Sequence, residues 1–383
     1  MTLVRFLRPL AAALLLVSLC SSPARGQVGV PPAFDSFYVF GDSLADNGNV
    51  WLTSKLLIAA RQLTGPAPPP SESPNLTYSR GRFSNGPVAF EYLWEKLKKP
   101  GSPALVPYIS APLLGKTGAV NFAFGGTGTP VLDQTPGGLW APGLLGQVGL
   151  FKFGLRGKSP SKNALYAIVT GANDYRVGAF NEPMSPGVVV ANIGKAVQSL
   201  YKSGAREFLV LTLPNLGCLP YTAPFINAAD EPESECIAPA FPAGPGAIRP
   251  SQLTAIHNAL LAQTLGELQA TGKLQGATVR LVDVNDVFDG LREFIDTIPS
   301  PELPFPLWAL PALDVLLRPT VAGPPMSACL FVAPQLCTDV PIEVRLPDGS
   351  FATPFPLLFW DVVHPTTFAH SALADYLYER LRQ

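Results

Sequence analysis

The chain has 383 residues, 47% of them hydrophobic and only 14% charged, with a formal net charge of −1. That composition provides a full core for one large domain and excludes a disordered chain. The near-zero charge leaves no basic footprint for nucleic acid or an anionic membrane surface. Forty-two prolines, well above ordinary usage, predict long ordered loops between the core elements.

Residues 1–26 read as a signal peptide. Arg5 and Arg8 give a positive start, Leu10 to Cys20 is apolar, and Ala24-Arg25-Gly26 offers small residues for cleavage near Gln27. The apolar stretch is shorter than the roughly 20 residues a membrane span needs. A lipoprotein signal at Cys20 is the competing reading, disfavoured by the bulk of Leu19. The expectation is a secreted or periplasmic protein with no stable membrane anchor in the mature chain. Cleavage leaves Cys218, Cys236, Cys329 and Cys337. In an exported chain these suggest two disulfides, with sequence proximity favouring Cys218–Cys236 and Cys329–Cys337. Zinc is the competing use, weakened by the absence of any CxxC pair.

Along the mature chain, Phe37-Tyr38-Val39-Phe40 is a run of β-formers broken by Gly41-Asp42, with Ser43 just past the turn. In an α/β sheet, the carboxyl end of a strand is where ligands bind. Asn47 to Ala60 reads as a loop running into a short helix. Residues 64–74 form a proline-rich loop, and Asn75-Leu76-Thr77 is a glycosylation sequon if the source is a eukaryote. The string Gly81-Arg82-Phe83-Ser84-Asn85-Gly86 precedes a helix over 88–98. A strand is predicted over 121–124, ending at Gly125-Gly126-Thr127-Gly128, whose spacing fits no phosphate-binding loop. Another strand, over 163–170, ends at Gly171-Ala172-Asn173-Asp174. A helix over 188–203, a strand over 208–213, a helix over 251–270, a strand over 279–284 and a last helix over 368–383 follow. Strands alternating with helices imply a doubly wound, mainly parallel sheet. Two proline-rich insertions interrupt it. Residues 219–250 are polar and read as a solvated loop. Residues 298–326 are apolar and must pack on the core or line an acyl-binding wall.

Four stretches stand out in order: FGDSLADNGN at Ser43, NFAFGGTG at Gly126, TGAND at Asn173 and WDVVHPT at His364. Together they resemble the four blocks of the GDSL, or SGNH, esterase and lipase family, across essentially the whole mature chain. The GRFSNG string resembles a segment that many extracellular members carry, and is expected to shape the rim of the site. The resemblance implies a flavodoxin-like three-layer α/β/α sandwich, here a single domain over 27–383.

Ester hydrolysis near neutral pH needs a nucleophile, a base and donors for a developing oxyanion. Ser43 is the candidate nucleophile. Of three histidines, His257 lies within a helical pattern and His370 within the last helix. His364 falls on a loop, with Asp361 three residues before it to orient the imidazole. The expected oxyanion donors are the backbone N–H groups of Ser43 and Gly126 and the side-chain amide of Asn173. Asp42, Asn47 and Asp174 are expected to be structural. No cofactor or metal is required, and no GxSxG elbow is present. The reading is an exported, monomeric serine esterase or lipase acting on a small-molecule, lipid or glycan ester. Its alternatives are a carbohydrate acetylesterase, an acyltransferase, or a non-catalytic glycan- or lipid-binding module.

Overall fold

A strand that is apolar at nearly every position must be covered on both faces, and Ser36–Gly41 is buried along its whole length. The computed structural model describes residues 33–65, 67–72, 78–114, 118–175, 184–219, 250–296, 344–345, 351–352, 358–361 and 363–383. The signal-peptide segment, the sequon, most of the insertion 219–250, all of the insertion 298–326, and Cys236, Cys329 and Cys337 lie outside the described residues.

In chain order the described elements begin with β1 (Ser36–Gly41), α1 (Asn49–Ala59), α2 (Ala89–Leu97), β2 (Val106–Pro107), α3 (Ala111–Leu114) and β3 (Ala119–Asn121). The hairpin β4 (Leu132–Gln134) and β5 (Trp140–Pro142) follows, then α4 (Leu144–Leu155), β6 (Ala164–Val169), α5 (Pro186–Lys202) and β7 (Glu207–Leu211). The rest are α6 (Pro250–Ala270), β8 (Thr278–Val282), α7 (Asn285–Asp296), the pair β9 (Val344–Arg345) and β10 (Phe351–Ala352), and α8 (Thr367–Leu381).

The central sheet has the order β2-β3-β1-β6-β7-β8, and every pairing in it is parallel. Without the two-residue edge strand, that is the 2-1-3-4-5 order of flavodoxin-like folds. The chain reverses its direction of progress between β1 and β6. The crevice outside the carboxyl ends of those two strands is therefore where such a fold binds its ligand.

Alternation along β1 divides the core. Tyr38 and Phe40 face α4, α5 and α6 through Phe151, Ile193 and Leu261, while Phe37 and Val39 face α2 and α8 through Phe90, Trp94 and Leu377. Helices on both faces of a parallel sheet give the three-layer α/β/α sandwich. Local chemistry sets the helix limits. Glu91 caps α2 by accepting from Val88 N–H at 3.0 Å. Pro186 opens α5 at a position that needs no N–H, and Gly204, at φ 111°, stops it.

Several features differ from the sequence expectation. The third sheet strand sits at Ala119–Asn121 rather than 121–124, although Phe122 and Phe124 still donate to Val39 and Gly41 carbonyls at 2.7 and 3.1 Å. Helices α4 and α7 and the hairpin β4–β5 were not anticipated.

Phe151 of α4 is buried and meets four rings, from Tyr38 and Phe40 on β1, Phe122, and Tyr166 on β6. Phe151→Ala should cost about 3–5 kcal/mol through lost burial and the cavity left behind. Equilibrium denaturant unfolding will measure it, and a loss below about 1 kcal/mol would contradict this packing.

Candidate active site

The turn after β1 is held from several sides. A Cβ on Gly41 would lie 2.1 Å from Val169 O, so only glycine lets β1 and β6 run this close. Gln147 of α4 clips the same residue: its Oε1 accepts from Gly41 N–H at 2.8 Å and its Nε2 donates to Gly41 O at 2.8 Å. The Asp42 carbonyl accepts from Ala45 and Asp46 N–H, and Asp42 Oδ1 accepts from Leu44 N–H at 3.0 Å. Ser43 stands in this turn, 9% exposed. Among the described residues its N–H has no partner. Burial pushes the Asp42 carboxyl up to about 7, against the opposing pull of Leu44 N–H and the charge of His364.

Three buried polar side chains bind this turn to the one after β3. The Asp46 carboxylate accepts from the N–H groups of Gly48, Asn49, Val50 and Gly125 at 2.6–3.1 Å. It thus satisfies the opening donors of α1 and holds the glycine turn at once. Asn49 donates to the carbonyls of Asn121 and Ala123 and accepts from Ile109 N–H. Asn121 returns a hydrogen bond to Ala45 O at 2.6 Å. Gly126, at φ 77°, occupies the left-handed region, and a Cβ there would meet Pro136 at 2.6 Å.

Asn173 lies in a short 3₁₀ turn, Ala172–Tyr175, beyond β6. Its Nδ2 donates to Thr127 O at 3.2 Å, next to Gly126. Asp174 fastens the same two turns together, accepting from Thr129 N–H at 3.0 Å and from Thr129 Oγ1 at 2.7 Å. From below, the Tyr175 hydroxyl shares a 2.7 Å hydrogen bond with His257 Nδ1. Burial lowers His257 to about 4, which keeps it neutral and structural.

The fourth stretch lies on the loop before α8. Trp360 N–H donates to His364 O at 2.6 Å and closes it. His364 Nδ1 is 2.6 Å from Asp361 Oδ2, and both side chains are buried. Asp361 Oδ1 accepts from the N–H groups of Val363 and His364, each at 2.8 Å. Burial raises the Asp361 carboxyl. His364 and these donors outweigh that and hold it below its ordinary value. The Phe83 ring lies 5.2 Å from the His364 ring and covers the face of Gly125, where a Cβ would meet it at 2.1 Å. His364 is therefore one ring away from the glycine turn.

Ser43, Gly126 and Asn173 thus follow the carboxyl ends of β1, β3 and β6, and the Asp361–His364 pair stands across the Phe83 ring from the glycine turn. Sequence reasoning missed Asp46, Gln147 and Tyr78, whose hydroxyl donates to Asp361 Oδ2 at 2.8 Å. An aspartate three residues before a helix start was a readable capping signal. Nothing in the sequence marked the other two.

The GDSL-like lipase/acylhydrolase family model matches residues 37–377. The chain is 26% identical over 411 residues to the GDSL esterase/lipase EXL2 of Arabidopsis thaliana, covering 95% of this chain and 93% of that protein. Another Arabidopsis thaliana GDSL esterase/lipase is 28% identical over 234 residues, an alignment spanning 55% of this chain and 62% of that relative. The phosphatidylcholine-sterol acyltransferase of Aeromonas hydrophila is 24% identical over 375 residues, covering 90% of this chain and 89% of that protein.

His370, on α8, is fully buried, and among the described residues neither ring nitrogen has a partner. Burial, with a smaller contribution from His364, lowers it to about 3. Unfolded, a histidine takes its proton near 6.5. Between about 6.5 and 3 the unfolded chain binds the extra proton, so acid removes stability across that window, by up to roughly 1.4 kcal/mol per pH unit. His370→Leu deletes this contribution. Urea midpoints should fall less steeply from pH 7 to 4 in the variant than in the wild type, and parallel curves would count against a neutral buried imidazole.

Proposed function

Because the chain belongs to the GDSL-like lipase/acylhydrolase family, and is therefore a carboxylic ester hydrolase, we propose that Ser43 is its nucleophile, His364 its base and Asp361 the carboxylate behind the base. The buried 2.6 Å pair of His364 Nδ1 and Asp361 Oδ2 carries this reading. A carboxylate at Nδ1 fixes the tautomer that leaves Nε2 to take a proton, and stabilises the imidazolium that results. Ser43 Oγ attacks the acyl carbon as its proton passes to His364. The oxyanion receives hydrogen bonds from the N–H groups of Ser43 and Gly126 and the amide of Asn173. His364 then protonates the departing alcohol and leaves an acyl group on Ser43. Water, deprotonated by His364, releases the acid in the second half. The Ser43 N–H, which has no partner among the described residues, and the left-handed Gly126 support the oxyanion assignment.

The working unit in this reading is one domain over 27–383, monomeric and exported after removal of residues 1–26. Cys218 is disulfide-bonded, which supports an oxidising compartment. Its partner lies outside the described residues, so the pairing with Cys236 belongs to the proposal. Among the described residues no helix is long and apolar enough to cross a membrane. The substrate in this reading is a small-molecule, lipid or glycan ester; the stretch 298–326, expected from its apolar sequence to pack on the core or line an acyl-binding wall, lies outside the described residues. A second reading, acyl transfer to an alcohol instead of to water, is favoured by the similarity to a phosphatidylcholine-sterol acyltransferase over 90% of the chain.

The test is initial rates on chromogenic esters from acetyl to palmitoyl, with and without an added long-chain or sterol alcohol. Ser43→Ala should lose at least about a thousandfold. Asn173→Ala should lose about 100- to 1,000-fold in kcat, or roughly 2.7–4 kcal/mol of transition-state stabilisation. An active Ser43→Ala would overturn the serine mechanism. Acylated alcohol exceeding free acid would favour transfer over hydrolysis.

A further inference from the structure

The loop carrying His364 is fastened by a segment about 280 residues earlier in the chain. Ser84 Oγ donates to Pro365 O at 2.9 Å, and Asn85 Oδ1 accepts from Thr367 N–H at 2.8 Å. Thr367 Oγ1 donates to Pro87 O at 3.0 Å, so at its 2.7 Å contact with Tyr92 the phenol must be the donor. A Cβ on Gly86 would meet Thr367 Oγ1 at 2.5 Å, which explains glycine there. Phe83 lies against the His364 ring itself. The GRFSNG string is thus a clamp under the histidine loop.

Tyr78 begins this clamp and reaches the charge behind the histidine. Its ring is buried, standing edge-on to Trp360 at 6.4 Å, and its backbone N–H is fixed to Pro70 O at 2.9 Å. The two oxygens of Asp361 are held differently. Oδ1 takes both its donors from its own loop, at Val363 and His364. Oδ2 takes the imidazole, and from outside the loop it takes Tyr78 O–H. Burial above all, then the nearby Asp361 charge, holds the phenol well above its ordinary range, so it remains a neutral donor at working pH.

Resting on the triad reading above, we propose that Tyr78 is a positioning residue whose hydroxyl sets how much of the Asp361 charge reaches His364, and with it the pH at which the enzyme turns on. A carboxylate oxygen shared between two donors stabilises an imidazolium less than one given wholly to the imidazole. Tyr78 therefore keeps His364 less basic and available as a base at lower pH. Among the described residues, the other titratable groups facing the pair are Asp42 from the turn after β1 and His370 from α8. Both stay unchanged in the comparison that follows.

The experiment is kcat/KM against pH for wild type and Tyr78→Phe on a short-chain chromogenic ester, with thermal unfolding to show that each is folded. The acid limb should move to higher pH in the variant by about half to one unit, the size that one hydrogen bond's net worth corresponds to. KM should stay within about twofold. A folded variant whose acid limb superimposes on the wild type overturns the proposal. Should the phenylalanine variant not fold, 3-fluorotyrosine placed only at position 78 keeps the shape and strengthens the donor. Its acid limb must then move to lower pH, and an unmoved limb overturns the proposal equally. Ser43→Ala and His364→Ala separate the two levels. If both retain wild-type rates, the triad reading has failed; if both are inactive while Tyr78→Phe is unshifted, only the role of Tyr78 has.

Discussion

The Asp46 carboxylate is the constraint on which the geometry of the site most depends. A parallel sheet delivers the ends of its strands to one side of the molecule but does not fix the turns that leave them. Asp46 is fully buried and accepts N–H groups from three successive residues of its own helix start and one from the glycine turn beyond β3. A buried carboxylate is tolerable only when it is this well satisfied. The same bonds that make it tolerable lock the serine turn to the glycine turn. Asn49 and Asn121 repeat the pattern with neutral groups, each spanning both segments.

The remaining turns are joined in the same manner. Asp174 grips Thr129, and Gln147 grips both backbone groups of Gly41. Phe83 fills the gap between Gly125 and His364. The polar residues under this site are therefore cross-braces between segments distant in sequence. Closely packed glycines accompany them because braces this short bring backbones within reach of a missing Cβ. Gly41 against Val169, Gly128 against Asp174 and Gly86 against Thr367 are all of this kind.

Much of this arrangement was legible beforehand, for definite reasons. β1, β6 and β7 are unbroken apolar runs ended by turn residues, so their existence and their carboxyl ends could be read directly. α5 has apolar residues at helical spacing between a proline and a glycine. Ser43, Gly126, Asn173 and His364 each sit just past such a run or just before a helix, but it was the resemblance of their four stretches to the blocks of the GDSL family that allowed them to be named. α4 was not readable: it carries Gly146, Gly149 and Gly154, poor helix formers, and Gly146 is required because a Cβ would meet Val131 O at 2.0 Å. β3 was shifted because its apolar run continues beside β1 after the ladder on its other side has ended. Tyr78 and Gln147 were invisible because their partners are more than a hundred residues away, and a single-sequence reading has no access to such distances.

The attachment of the histidine loop to the 78–92 segment also has a consequence for how the protein is born. The serine turn leaves the ribosome about three hundred residues ahead of the histidine loop. At 5–20 residues per second, that is a delay on the order of 15–60 s. During it the sheet around β1, β3 and β6 can assemble, with the clamp waiting in place. Under the proposed triad the unfinished chain would lack its base throughout that delay, and competence would arrive only when the histidine loop docks on the clamp.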